Sequence, residues 1–105
     1  METYIQVITT TENKQDAEKI AGILVEKKLA GCVQIVGPVT SIYRWKGKIE
    51  EAREWQCVIK SRKGLFGEIE KVISSIHPYE VPEIIAVPIV TGNRAYLEWL
   101  KAGLI

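Results

Sequence analysis

The sequence has little of what most catalytic or metal-binding sites are made from. It contains one histidine and two cysteines in 105 residues, with no CxxC pair and no Cys/His zinc spacing, so the signature of a zinc module is missing. There is no glycine-rich phosphate loop, no serine elbow and no paired-acid hydrolase pattern. Fourteen basic residues face thirteen acidic ones, giving a net charge of +1, and neither sign forms a block. That balance argues against a nucleic-acid or anionic-membrane footprint, so neither is expected as a partner. No apolar run approaches the length of a membrane span, and Met1-Glu-Thr-Tyr lacks the basic and apolar regions of a signal peptide. A cytoplasmic protein is expected, and the length favours one domain over residues 1–105.

What is present in excess is extended chain. From Gly31 to Arg62 two arms rich in β-branched and aromatic residues meet at Lys46 and Gly47, which predicts a long β-hairpin. Each arm has about fifteen residues, roughly 50 Å at 3.3 Å per residue, against a usual strand of about five or six. The inner half, Cys32 to Val36 with Gln56 to Lys60, is apolar enough for a core. The outer half carries Ile42, Tyr43, Trp45, Ile49 and Trp55 among Arg44, Lys46, Lys48, Glu50, Glu51 and Arg53. Two-stranded ribbons are marginal in water and aromatic edges invite pairing. Other copies of the chain are therefore expected to complete the ribbon. Counting from the turn sets Cys57 opposite Val36 and Cys32 opposite Ser61, so both cysteines are expected as free thiols in a reducing compartment. Gly37-Pro38 predicts a bulge that shifts this count by a residue.

Along the rest of the chain, Thr3 to Thr10 reads as a strand. Asn13 with Asp16 marks a helix start, and Ala17, Ile20, Ala21, Leu24 and Val25 recur at helical spacing. Leu29-Ala30-Gly31 ends that helix, with Gly31 as its left-handed residue. A second helix holds Leu65, Ile69, Val72, Ile73 and Ile76, with Ser61 or Lys63 as its cap, and Pro78 stops it by forcing His77 into an extended conformation. Ile84 to Val90 is the last strand, and Tyr96, Leu97, Trp99 and Leu100 form a short C-terminal helix. The class is α+β, and the order is that of a ferredoxin-like split βαβ sandwich with both long helices on one face. An apolar second face is an independent reason to expect self-association.

The connection His77-Pro78-Tyr79-Glu80-Val81-Pro82-Glu83 gathers the sole histidine, two carboxylates and a phenol between two prolines. It reads either as a ligand-bearing loop or as a stiff turn in which His77 caps helix carbonyls. Imidazole and thiolate suit copper or zinc better than magnesium. A hydrolase using His77 as base has no nucleophile at a fixed offset. Arg62, Lys63 and Gly64 at a helix start offer an anion a weak foothold.

Several of these segments together resemble the CutA divalent-cation tolerance proteins: Lys28-Leu29-Ala30-Gly31-Cys32-Val33, Ser41-Ile42-Tyr43-Arg44-Trp45-Lys46-Gly47-Lys48-Ile49, Ile59-Lys60, His77 to Ile84, and Tyr96-Leu97-Glu98-Trp99-Leu100. The resemblance runs end to end. It implies a ferredoxin-like subunit in a tight homotrimer similar to PII signalling proteins, a response to copper or other divalent ions, and no established enzymatic activity. Carried over by position, it makes His77, Cys32 and Glu80 the candidate metal contacts, with Tyr79 beside them. Thr9 and Ile76 stand where some members have cysteine and histidine, so any Cu2+ or other divalent metal is expected to bind weakly. The alternative function is a PII-like signalling module whose intersubunit cleft holds a small ligand or a partner peptide.

Overall fold

Alternation along the first strand decides the layering. In β1, Tyr4–Thr11, the side chains of Ile5, Val7, Thr9 and Thr11 are buried while Tyr4, Gln6 and Ile8 on the other face are half-buried. The sheet therefore has one covered face and one open face. The computed structural model describes residues 2–105, and the covered face is roofed by α1, Lys14–Glu26, and α2, Phe66–Ile76, the latter entered through a tight turn at Lys63–Leu65. Ile20, Leu24, Ile69 and Ile73 from the helices meet Ile5, Val7, Cys57 and Ile59 from the sheet in one core.

Asn13 caps α1 as its spacing predicts, its side chain accepting the amide of Asp16 at 2.9 Å. The other end of α1 differs from expectation. The left-handed residue is Lys28, with φ 60°, rather than Gly31. The amide of Lys28 donates to the Val25 carbonyl and that of Leu29 to the Leu24 carbonyl, both at 3.0 Å, the paired bonds of a Schellman ending. Gly31 is required for a different reason: a Cβ there would lie 2.5 Å from Cδ1 of Leu100 in α3, Arg94–Ala102. Neither expected cap serves α2. It begins without a side-chain cap, and Ser61 is buried with its hydroxyl donating to the Leu29 carbonyl at 2.7 Å.

The hairpin is β2, Cys32–Trp45, and β3, Lys48–Arg62. Lys46 (φ 49°) and Gly47 (φ 80°) form its two-residue turn, whose twist matches the strands it joins. The molecule is accordingly 44 × 25 × 22 Å. The register shifts between Val36 and Val39, so Cys57 pairs with Ile35 and Cys32 with Lys60, one residue from the simple count. Both cysteines are free. With β4, Ile85–Ile89, the sheet is antiparallel in the order β2-β3-β1-β4.

Exposure along the ribbon changes at Glu54. Ile42 and Ile49 are each 70% exposed, with Tyr43 and Trp45 partly so. Trp55, expected among this outer set, packs instead against the core, with the Lys14 ammonium 5.3 Å from its ring centroid. Alternation along β3 sets Trp55 on the same covered face as Cys57 and Ile59, across from Thr11.

Candidate functional site

Pro78 ends α2 by pushing His77 to φ −74°, ψ 133°, and the loop that follows is tied to the sheet at two points. The ring of His77 makes the first. Its Nδ1 accepts the amide of Tyr79 at 3.1 Å, and its Nε2 lies 2.8 Å from the Thr10 carbonyl. A carbonyl can only accept, so Nε2 carries the proton and Nδ1 the lone pair. His77 therefore bonds a strand carbonyl, not the helix carbonyls expected for a capping role. The second tie is Tyr79, whose hydroxyl donates to Glu54 Oε2 at 2.6 Å, the short length of a charge-assisted bond. Burial first, then the hydrogen bond and charge of Glu54, push the Tyr79 phenol far above its ordinary value. It remains a neutral donor. The two rings also touch edge to face, with centroids 4.8 Å apart.

These ties shape a cleft of about 560 Å3 on the open face at the root of the ribbon. Thr10, Ser41, Ile42, Tyr43, Trp45, Glu54, Tyr79, Glu80, Val81 and Glu83 line it. Its character is acidic and aromatic: three carboxylates, three aromatic rings and no lysine or arginine. An anion is repelled from such a site. Glu54 is the residue that sequence reasoning missed. It is only 7% exposed, and the one hint of it was an acid at a strand position whose neighbours two residues on, Gln56 and Val58, belong to the apolar half.

The three candidate metal contacts are not brought together within one subunit. Glu80 lines the cleft beside Tyr79, and His77 holds the loop from behind. Cys32 pairs with Lys60, which pairs with Gln6. It lies four positions along the sheet from Thr10, roughly 13 Å at 3.3 Å per residue. Its neighbour is Tyr96 of α3, whose phenol is pushed up by burial and by Cys32. Among the described residues no three His, Cys, Asp or Glu side chains converge to hold a metal ion. Cys57 is fully buried, its thiol pushed up to about 11 by that burial, with Sγ 3.5 Å from the Ala17 carbonyl. It packs as a small apolar group.

A model of the CutA1 divalent ion tolerance protein family matches residues 5–103. The chain belongs to that family. Similar to it is the divalent-cation tolerance protein CutA of Thermus thermophilus, 44% identical over 95 residues that cover 90% of this chain and 92% of that one. Human protein CutA is 46% identical over 92 residues, 88% of this chain but 51% of the human protein, so the chain spans about half the length of that relative. The crystal structure of CutA1 from Oryza sativa superposes with a TM-score of 0.95 at 40% identity, covering 98% of this chain and 94% of the other. The α+β sheet and helices are thus those of CutA1 structures. No helix among the described residues of this CutA1-family chain is long and apolar enough to cross a membrane.

Proposed function

We propose that the chain is a cytosolic, homotrimeric protein that takes part in the response to divalent metal ions, binding Cu2+ or a similar ion weakly and catalysing no reaction. Membership of a family described by divalent ion tolerance carries this reading. The strand order β2-β3-β1-β4 supports treating each subunit as a ferredoxin-like split βαβ unit. Two features support self-association. Ile42 and Ile49 are largely in water on the ribbon, and Ile85 and Val87 of the edge strand β4 are also exposed. Edge strands and apolar patches of this kind are usually covered by another chain.

In this reading His77 is the principal metal ligand, with Cys32 or Glu80 contributed across a subunit boundary. Both ring nitrogens of His77 are already hydrogen-bonded, so a metal ion must displace the Tyr79 amide or the Thr10 carbonyl. That competition, with a ligand set incomplete in one subunit, is a physical reason for weak affinity. Calorimetric titration of Cu2+ into the native assembly and into His77→Ala tests it. The expected result is a clear loss of affinity in the variant, and equal binding by both proteins removes His77 from the site.

A further inference from the structure

We infer that Nδ1 is the nitrogen of His77 that faces a metal ion, and that Glu54, acting through Tyr79, is a positioning residue that keeps this nitrogen closed. This rests on the reading of His77 as a metal ligand, and it names the atom that is offered and the contact that withholds it. The choice of nitrogen follows from the two bonds of the ring. Nε2 donates its proton to the Thr10 carbonyl at 2.8 Å, while Nδ1 accepts the Tyr79 amide at 3.1 Å. Ligation at Nε2 needs a lone pair there, so the ring proton has to move to Nδ1. It then points at an amide that can only donate, and both bonds are lost. Ligation at Nδ1 breaks one bond and leaves the other. An imidazole N–H held by a backbone carbonyl is the usual outer partner of a metal-bound histidine, fixing its tautomer and orientation. The two anchors also differ in stiffness: Thr10 is buried in β1 and paired with Gln56 of β3, whereas Tyr79 lies between α2 and β4, outside any helix or strand.

The Tyr79 amide is held on Nδ1 by its own side chain. The hydroxyl donates to Glu54 Oε2 at 2.6 Å, and the ring meets that of His77 edge to face with centroids 4.8 Å apart. The amide cannot swing away from Nδ1 without pulling on both contacts. Glu54 is itself fixed, being buried on β3 opposite Val39. An ionised acceptor makes the hydroxyl bond stronger than a neutral one does, so the charge of Glu54 backs the closure although Glu54 does not bond His77. Each of these contacts lies within one chain, and the latch is present whatever covers the open face of the sheet.

Nitrogen-15 spectra of the His77 ring in the native assembly at neutral pH, without and with Zn2+ as a diamagnetic imidazole-binding probe, read the choice of nitrogen. The metal-free protein is expected to show the Nε2–H tautomer, and Zn2+ is expected to shift Nδ1 while Nε2 keeps its proton. An Nδ1–H tautomer, or a Zn2+ shift at Nε2, overturns the inference. Calorimetric titration of Cu2+ reads the latch. Tyr79→Phe removes the hydroxyl and keeps the charge of Glu54; it is expected to bind at least about threefold tighter than the native protein, with the gain vanishing when His77→Ala is added. Should Tyr79→Phe fail to fold, hydrogen exchange in Glu54→Gln serves instead, where the Tyr79 amide is expected to exchange at least about threefold faster with the amides of β1 unchanged. Unchanged or weaker Cu2+ binding in folded Tyr79→Phe, or unchanged exchange in Glu54→Gln, overturns the latch and leaves the metal reading standing so long as His77→Ala still loses affinity. Native binding that does not depend on His77 ends the metal reading, and the latch with it.

Discussion

Thr9 is fully buried in β1, and its hydroxyl oxygen has no hydrogen-bond partner. An unsatisfied buried polar atom costs about 1–3 kcal/mol, and valine has nearly the same shape. Thr9→Val is therefore expected to stabilise the fold by about 1 kcal/mol in denaturant melts, and a loss of stability would mean that a water molecule satisfies the hydroxyl. Cys57, its cross-strand partner, imposes a pH dependence. Its thiol titrates at about 11 in the folded chain against 9.0 ordinarily, so above pH 9 the unfolded chain releases a proton that the folded one keeps. Stability from this group is complete below pH 9 and falls between pH 9 and about 11, with a limiting slope of about 1.4 kcal/mol per unit. Melting Cys57→Ala alongside the native protein across that window isolates the effect, because the variant's curve should be flatter. Neither behaviour is legible in the sequence, where Thr9 and Cys57 are a β-forming residue and a cysteine with no sign of facing each other.

Among the elements, α1 and the ribbon show how much local chemistry decides. The start of α1 was legible because an N-cap is a matter of a few adjacent residues. Its end was misplaced because glycine is the usual left-handed residue and this chain uses lysine at Lys28. A left-handed residue with a Cβ costs about 1–2 kcal/mol. Lys28→Gly should recover part of that and raise stability by about 0.5–1 kcal/mol, read from the denaturation midpoint. The ribbon's turn and length followed from pattern alone, while its register needed the bulge. The His77–Glu83 loop could be singled out by composition. Its anchoring to Thr10 and Glu54 could not, since both partners are distant in sequence.

For the molecule as a whole, the ribbon is the feature that one chain leaves unfinished. Its two 70%-exposed isoleucines, Ile42 and Ile49, are neighbours near the tip, opposite Glu51 and Arg44. If copies of the chain cover them, light scattering at micromolar concentration should give three times the chain mass for the native protein. Ile42→Asp with Ile49→Asp should shift the population toward single subunits with the helical signal retained. A native protein that is a stable single subunit would end the trimeric reading, and with it the sharing of metal ligands between subunits.

The sequence by itself determined the elements, their order, the long ribbon and the membership of a family. These depend on spacing, turn chemistry and motifs read along the chain. Only the tertiary structure decided that His77 spends both nitrogens on the backbone, that Cys32 lies away from it, and that Glu54 and Tyr79 close an acidic, aromatic cleft. Those facts depend on which strands lie side by side and in what register, and a bulge of one residue at Gly37 and Pro38 is enough to change every partner beyond it.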